Sequence, residues 1–257
     1  MSIRIFVGTP ANNEDLESQA VLEYTLLKHA SLPLDITWMK LSRDPGSFWF
    51  ADPQHGQGWN TRGWATPFSP FRWAIAEFCE FKGRAIYLDV DMMVMDDIAK
   101  LWTTEMFPGA MALAKNAKTF CCSLFDCARA KHFLPPVVRL KSEIGLYRHV
   151  RKSFGCTTVQ AFNGIGNWNC LDGEDYRDLR DPQVKIIHCT SIPTQPQLKH
   201  ALPRLAAAGQ KHWFSGEPRK HWREDIPLLF DSLLAEAKGF GFVPDNYAAA
   251  PFGDYGR

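Results

Sequence analysis

No stretch of this 257-residue chain comes near the roughly 20 consecutive apolar residues that a membrane-spanning helix requires. An excess of one charge is also lacking, because 29 basic and 28 acidic residues give a formal net charge of +1. Proteins that bind nucleic acid usually carry a strong basic excess, so no nucleic-acid partner is expected. The first apolar segment, 3–7, follows no signal-peptide pattern, which predicts a cytoplasmic protein.

The seven cysteines form neither a disulfide framework nor a zinc-ligand pattern. They are scattered along the chain, and none belongs to a CxxC pair. An odd number of scattered thiols is typical of a reducing compartment. A structural zinc site is therefore not expected, and we interpret Cys121 and Cys122 as small core residues rather than a redox pair.

The order of apolar patterns predicts an α/β fold with a core large enough for one domain. Strand patterns at 3–7 and 34–41 enclose a helical pattern at 16–29, an order typical of a parallel βαβ unit. The remaining patterns predict helices at 70–81, 98–101, 135–152 and 226–238 and strands at 86–90, 110–114, 123–126 and 184–188. We divide the chain into a catalytic part, 1–200, and a C-terminal extension, 201–257, that packs on the same domain.

Aromatic residues are concentrated in segment 44–70, which otherwise has the glycine and proline content of a loop. Long loops in compact domains are usually functional or disordered. So many aromatic side chains argue against disorder. We therefore expect an ordered rim or lid beside the active site.

Two aspartates directly follow the most apolar strand pattern, which begins at residue 86. Alternate side chains of a strand share a face, so Asp89 and Asp91 can point at one spot. Two like charges there repel unless a cation lies between them. Mg²⁺ and Mn²⁺ accept oxygen ligands and leave positions for phosphate oxygens. The pattern therefore predicts a metal–diphosphate site at the carboxyl end of a strand, and the alternative is a solvated turn.

Four segments together resemble the family 8 glycosyltransferases, the retaining GT-A group that includes glycogenin and bacterial lipopolysaccharide hexosyltransferases. They are the strand at 3–9, the 69–72 segment with the aspartate strand at 84–91, the Trp-Asn turn at 166–171 and the strand at 185–188 that ends in histidine. The resemblance implies a Rossmann-like GT-A fold with a mixed, mostly parallel sheet flanked by helices. It also implies metal-dependent transfer of a hexose, with retention, from a UDP-sugar to a carbohydrate or glycolipid acceptor.

The resemblance implies that Asp89, Asp91 and His188 hold Mn²⁺ or Mg²⁺, which bridges the two donor phosphates. Asp89 would also contact the ribose or the sugar. Taken alone, a histidine at the end of a strand is more often a hydrogen-bonded core residue, and this is the alternative for His188.

Donor-binding roles follow from the same resemblance. Arg72 would reach the sugar or the diphosphate, where its planar donor fork suits oxygen anions. Main-chain groups around Gly8 and Thr9 would line the base. Retention by front-face attack requires no strong enzymic nucleophile, which agrees with the lack of a well-spaced second carboxylate in the sequence.

The chain departs from the family pattern at three places. Thr194 stands where the family has a lysine that grips the diphosphate, and Lys199, Arg219 or Lys220 are candidates to compensate. The family's Asn-containing strand is represented here by the Cys-Cys-Ser sequence at 121–123.

The third departure concerns the family's Asp-Gln-Asp stretch, which contacts the donor sugar and has no clear copy here. By position we assign Gln160 and Asn163 as its catalytic substitutes. The alternative is that both are structural turn residues.

Two other functions stay open from the sequence. A haloacid-dehalogenase-type phosphatase would use Asp89 as its nucleophile, although its motif usually lies near the N-terminus. A non-catalytic protein of the same fold would bind nucleotide sugar or glycan without turnover.

Basic and aromatic residues alternate in segment 211–223. The pattern fits contact with a lipid-linked acceptor at a membrane surface, which would place the protein peripherally at the inner membrane face. It equally fits a lid over the diphosphate or a solvated surface with anchored tryptophans.

Overall fold

The computed structural model describes residues 2–256 as a mixed α/β fold built around a six-stranded sheet. The strands are β1 (Ile3–Gly8), β2 (Leu34–Met39), β3 (Ala51–Asp52), β4 (Gln57–Gly58), β5 (Arg84–Asp89), β6 (Met92–Val94), β7 (Ala112–Asn116), β8 (Thr119–Asp126), β9 (Val159–Ala161), β10 (Cys170–Leu171) and β11 (Ile186–His188). The helices are α1 (Leu16–His29), α2 (Ile75–Phe78), α3 (Ala99–Thr103), α4 (Cys127–Ala130), α5 (Val137–Ser142), α6 (Leu146–Lys152), α7 (Leu198–Ala207) and α8 (Asp225–Gly239). Short 3-10 turns span Phe71–Trp73, Ile192–Thr194 and Pro244–Tyr247.

The central sheet has the strand order β2-β1-β5-β8-β7-β9. β1 runs parallel to β2 and β5, and β7 runs parallel to β9. β8 is antiparallel to both of its neighbours, β5 and β7. This arrangement confirms the predicted mixed, mostly parallel sheet flanked by helices.

β5 lies between β1 and β8, and every residue from Ala85 to Asp89 is buried. A strand enclosed on both edges and both faces requires an almost continuous apolar run, which is what the sequence supplies. In the register of the sheet, Gly8 of β1 lies opposite Asp89. The strand therefore places the side chain of Asp89, its last residue, at the edge of the sheet where the carboxyl end of β5 lies.

A second, three-stranded sheet has the order β10-β11-β6. β11 is antiparallel to β6, so that His188 lies opposite Met92. The short connection between β5 and β6 contains Asp91. The two sheets thus bring the ends of β5 and β11 to the same place.

The aromatic segment 44–70 is packed into the core, as expected of an ordered segment. Trp59 is 1% exposed and lies against Trp49, Trp64 and Phe71 at ring-centroid distances of 6.2, 5.8 and 5.2 Å. Its indole nitrogen donates a hydrogen bond to the main-chain oxygen of Phe48 at 3.0 Å.

Two segments that were each predicted to form one helix are divided in the structure. The pattern at 135–152 divides into α5 and α6, because Gly145 adopts a φ of +77° between them. The pattern at 70–81 divides into the Phe71–Trp73 turn and the four-residue α2, and the chain then reverses through Glu80 and Phe81, both at positive φ. α7 was not predicted, and Pro203 lies inside it.

The C-terminal residues pack on α1. Tyr24 of α1 stacks on Phe240 with 5.6 Å between ring centroids, and Lys28 pairs with Glu236 of α8 at 2.6 Å. The expected division at residue 200 falls inside α7 and stays a prediction. Within residues 2–256, no helix is both long enough and apolar enough to cross a bilayer.

A buried carboxyl group anchors the end of the chain beside α1. Glu14 is fully buried and accepts hydrogen bonds from the main-chain nitrogen of Asn12 at 2.8 Å and from the Tyr255 hydroxyl at 2.9 Å. Burial, reinforced by the charge of Asp15, raises the pKa of Glu14 to about 7. The neutral form is thus favoured in the folded protein.

We expect Glu14→Gln to remove a pH dependence of stability. The folded pKa of Glu14 is raised from 4.5 to about 7. Its contribution is therefore fully present below pH 4.5 and is lost as pH rises through about 7. Above that pH the neutral variant should exceed the wild type in unfolding free energy by up to about 3 kcal/mol.

Urea unfolding at a series of pH values measures this difference. Glu217→Gln, at an exposed position, is the matched control and should follow the wild-type profile. Parallel profiles for Glu14→Gln and the wild type would refute the role given to Glu14.

Candidate active site

The structure brings Asp89, Asp91 and His188 together at the edge where the two sheets meet. His188 Nε2 lies 3.2 Å from Asp91 Oδ1 and 3.9 Å from Asp89 Oδ2. His188 is 3% exposed and Asp89 is 7% exposed, although both border an open cleft. Three ionisable groups at such spacing and burial need mutual charge compensation or a cation.

His188 and Asp91 each shift the pKa of the other. Burial raises the pKa of Asp91, and the charge of His188 offsets part of this rise. Burial alone would lower the pKa of His188, but the charge of Asp91 outweighs it and the pKa is raised.

Asn169 fixes the orientation of the histidine ring. His188 Nδ1 lies 2.9 Å from Asn169 Oδ1, so the protonated Nδ1 donates and Nε2 faces the carboxylates. Asn169 is fully buried and belongs to the Trp-Asn turn that the sequence singled out without giving this residue a role. A ring held in this way presents its lone pair to a ligand.

Gln195 fixes Asp91 in a similar way. Its side-chain nitrogen donates to Asp91 Oδ2 and, at 2.7 Å, to the main-chain oxygen of Cys189. Gln197 donates in turn to Gln195 Oε1 at 3.0 Å. Asp91 Oδ1 is left buried, and within residues 2–256 it accepts no hydrogen bond. This oxygen faces His188 Nε2 and is available to a cation.

Arg72 and Tyr87 hold the other carboxylate. Arg72 Nη2 lies 3.0 Å from Asp89 Oδ1, and the Tyr87 hydroxyl donates to the same oxygen. The guanidinium lies 4.7 Å from the centroid of the Tyr87 ring. Burial raises the pKa of Tyr87, which stays a neutral donor. Asp89 Oδ2 is thereby directed towards His188.

The donor set fits a divalent metal ion. One carboxylate oxygen of Asp91 and one of Asp89 lie 3.2 and 3.9 Å from the imidazole nitrogen Nε2 of His188, and Asp91 Oδ1 has no hydrogen-bond partner in the described part of the chain. A fourth donor, Cys121 Sγ, lies within 4.8 Å of ligand atoms of Asp89 and His188. Cys121 packs against the core but is only half-buried and lines the cleft, so its interpretation as a core residue is wrong in part, whereas Cys122 is fully buried as expected.

The cleft above these residues has a volume of about 530 Å³, which lies within the range of small-molecule sites. The end of the aromatic segment, 65–69, forms part of its rim. Its basic residues include Arg148, Arg151 and Lys152 of α6, together with Arg72 at the floor. A cleft with this charge is suited to an anionic ligand.

No protein-family model matches this chain, and no curated protein sequence matches it. Solved structures do match. The galactosyltransferase LgtC, in complex with donor and acceptor sugar analogs, aligns with a TM-score of 0.54 at 13% identity over 94% of this chain and 100% of LgtC. The GT-A fold is thereby confirmed.

Two further glycosyltransferases share the fold. GlyE of Streptococcus pneumoniae TIGR4 aligns with a TM-score of 0.52 at 13% identity, over 94% of this chain and 64% of GlyE. The bifunctional glycosyltransferase WbbM aligns with a TM-score of 0.53 at 11% identity, over 79% of this chain. The match spans about half, 51%, of the WbbM chain. At such identities the likeness concerns the fold.

Within this GT-A fold, Gly8 and Thr9 lie beside the site but below its surface. A side chain at Gly8 would lie 2.6 Å from Phe68 and 2.8 Å from the Tyr87 hydroxyl, so this position requires glycine. Thr9 is buried, with a hydroxyl oxygen that makes no hydrogen bond within residues 2–256. Their contact with a base stays a prediction.

The structure does not bring Gln160 and Asn163 to the cleft. Both line a separate depression beside Cys156. Gln160 accepts a hydrogen bond from the main-chain nitrogen of Phe107 at 2.7 Å and donates to the main-chain oxygen of Glu105. This placement favours the alternative of a structural role, because β9 is the edge strand of the sheet.

The candidates to replace the diphosphate lysine also lie elsewhere. Thr194, Lys199, Arg219 and Lys220 line a neighbouring cavity, which Gln195 separates from the cleft. Lys199 pairs there with Asp231 of α8. Besides Arg72, the cleft is lined by cations of α6, part of the basic helical pattern for which the sequence suggested no role.

Proposed function

We propose that the protein transfers a hexose, with retention, from a nucleotide sugar of the UDP type to a carbohydrate or glycolipid acceptor. The observation that carries this proposal is the buried Asp91 Oδ1, which has no hydrogen-bond partner among residues 2–256 and faces His188 Nε2 at the floor of a basic cleft. The fold shared with LgtC supports sugar transfer as the reaction class.

Some residues of the site would bind the metal, and others would bind the substrate. Asp89, Asp91 and His188 would hold Mn²⁺ or Mg²⁺, and a bound ion would stabilise the negative charge that grows on the departing diphosphate. Asn169 and Gln195 hold two of these ligands in place through their hydrogen bonds.

The basic groups bind and orient the donor. Arg72 is fixed by Asp89 and lies over Tyr87, so its remaining donors present a rigid fork to a sugar or phosphate oxygen. Arg151 and Lys152 stand at the mouth and are exposed, as suits initial attraction of an anion. The fold does not favour the phosphatase alternative, since the structural neighbours transfer sugars.

A thermal-shift screen tests the proposal. The protein is heated with UDP-, GDP-, CMP- and dTDP-sugars, each with Mn²⁺ and with EDTA. A ligand that binds only the folded state raises the melting temperature, by an amount equivalent to about 2.7 kcal/mol at a hundredfold excess over Kd. We expect a shift with one nucleotide class and only with metal.

Two results would count against the proposal. An absence of any shift would remove the nucleotide-sugar site, and equal shifts with Mn²⁺ and EDTA would remove the metal.

Peripheral membrane contact through segment 211–223 and a cytoplasmic location stay predictions, and Trp222 in that segment is 65% exposed.

A further inference from the structure

We propose that Cys121 gives this site a second occupant, Zn²⁺, which the thiolate binds together with Asp89 and His188. The inference rests on the proposed function only because it uses the same site. It concerns metal selectivity, and it depends on the sulfur atom alone.

Strand register places Cys121 in the site. β8 is antiparallel to β5, and Leu88 lies opposite Cys122, so the preceding residue of β8 lies near Asp89 at the end of β5. Neighbouring side chains of a strand point to opposite faces. Cys122 therefore enters the core and Cys121 faces the cleft, where it is half-buried.

The sulfur is close enough to join the other ligands. Ligand atoms of Asp89, Cys121 and His188 all lie within 4.8 Å of one another. Donor atoms bound to one tetrahedral zinc ion lie about 3.2–3.8 Å apart, given bond lengths of about 2.0–2.3 Å. The ligand atoms would therefore have to approach one another by at most about 1–1.6 Å, which side-chain rotation of a half-buried cysteine can supply.

The chemistry of the donors selects between ions. Asp89, Asp91 and His188 offer two oxygens and one nitrogen, which suit Mn²⁺ and leave positions for phosphate oxygens. Thiolate is a soft ligand that Mg²⁺ does not select but Zn²⁺ does. Sulfur from Cys121, oxygen from Asp89 and nitrogen from His188 give zinc three protein ligands, and the fourth tetrahedral position is left for water or a phosphate oxygen.

Binding of Zn²⁺ to the sulfur of Cys121 releases the thiol proton. Cys121 now accepts a hydrogen bond from Arg72 Nη1 at 3.5 Å. Burial and the charge of Asp89 raise the pKa of its thiol, which is neutral without a metal. When Zn²⁺ binds, the S–H bond breaks, a Zn–S bond forms and the proton passes to solvent, with no change of oxidation state.

Cobalt absorption tests the sulfur ligand directly. Co²⁺ added to the wild-type protein should give a thiolate-to-cobalt charge-transfer band in the near ultraviolet, and Cys121→Ser should lack it. Competition with a chromophoric chelator measures Zn²⁺ affinity, and the loss of Mn²⁺ paramagnetic resonance on binding measures Mn²⁺ affinity. We expect Cys121→Ser to lower the ratio of Zn²⁺ to Mn²⁺ affinity by at least about tenfold.

Cys156→Ser is the matched control, because this exposed thiol lies outside the cleft. It should keep both the band and the affinity ratio. Cobalt binding without the band, or an unchanged ratio in Cys121→Ser, would overturn the zinc site. Cys121→Ala provides a second variant should serine disturb folding. If the band is present but no nucleotide sugar binds with Mn²⁺, the proposed function fails and the zinc site stands.

Discussion

Asp91→Asn is expected to remove metal-dependent nucleotide binding, with a loss of at least about 100-fold in affinity. The reason lies in Gln195, whose side-chain nitrogen donates to Asp91 Oδ2. An asparagine must therefore place its oxygen at the Oδ2 position and its NH₂ group where Oδ1 now faces His188. An amide nitrogen cannot ligate a cation, so the proposed metal site loses one of its three ligands.

Calorimetric titration of UDP, with and without Mn²⁺, measures this loss. Circular dichroism of Asp91→Asn separates loss of fold from loss of metal binding, because the substitution removes the buried charge that lies 3.2 Å from His188 Nε2. Asp175→Asn, at an exposed position, is the matched control and should bind as the wild type does. Undiminished metal-dependent binding by Asp91→Asn would contradict the metal assignment.

Arg72→Met is expected to lower donor turnover by about 10²–10³-fold, the usual effect of removing one preorganised donor of charge stabilisation. Arg72 contacts Asp89 Oδ1, Cys121 Sγ and the main-chain oxygen of Ser69 with three different nitrogens. Methionine keeps the bulk over Tyr87 and removes all three contacts. Arg72→Lys keeps the charge without the fork, and we expect an intermediate rate.

The measurement is the initial rate of nucleoside diphosphate formation at saturating donor. Arg177→Met removes an exposed arginine outside the cleft and serves as the control. Circular dichroism of Arg72→Met separates loss of fold from loss of catalysis, because Asp89 loses its buried partner in this variant. Turnover equal to that of the wild type would remove Arg72 from the catalytic centre.

The sequence predicted the metal-facing residues because their strands are short, apolar and continuous. β5 and β11 end at the aspartate and the histidine that the pattern indicated, and both strands are buried. The structure places β11 in the second sheet, where it still brings His188 close to the end of β5. Pattern and position therefore indicated Asp89, Asp91 and His188 as neighbours without a structure, and their role as metal ligands stays a prediction.

The orienting residues could not be predicted in this way. Gln195 lies 104 positions from Asp91 along the chain, and its local sequence gives no sign of the contact. The faces of Cys121 and Cys122 depend on the register of β8 against β5, which composition does not determine. The division of the basic pattern into α5 and α6 depends on the single conformation of Gly145.

Gln160 shows how assignment by chain order fails. In the strand order, β8 and β7 lie between β5 and β9, so three strand spacings separate β9 from the aspartate strand. At about 4.8 Å for each spacing, this amounts to about 14 Å. A glutamine on β9 therefore needs a long connection to reach the metal ligands, and its hydrogen bonds to Phe107 and Glu105 hold it at the sheet edge.

Product analysis tests the central claim most directly. The protein is incubated with the nucleotide sugar that gives a thermal shift, in the presence of Mn²⁺ and a panel of glycan acceptors, and the products are followed by proton NMR. We expect nucleoside diphosphate to form together with a glycoside whose anomeric configuration matches that of the donor, and EDTA to stop both. Release of inorganic phosphate, or donor binding that yields no nucleoside diphosphate, would contradict sugar transfer at this site.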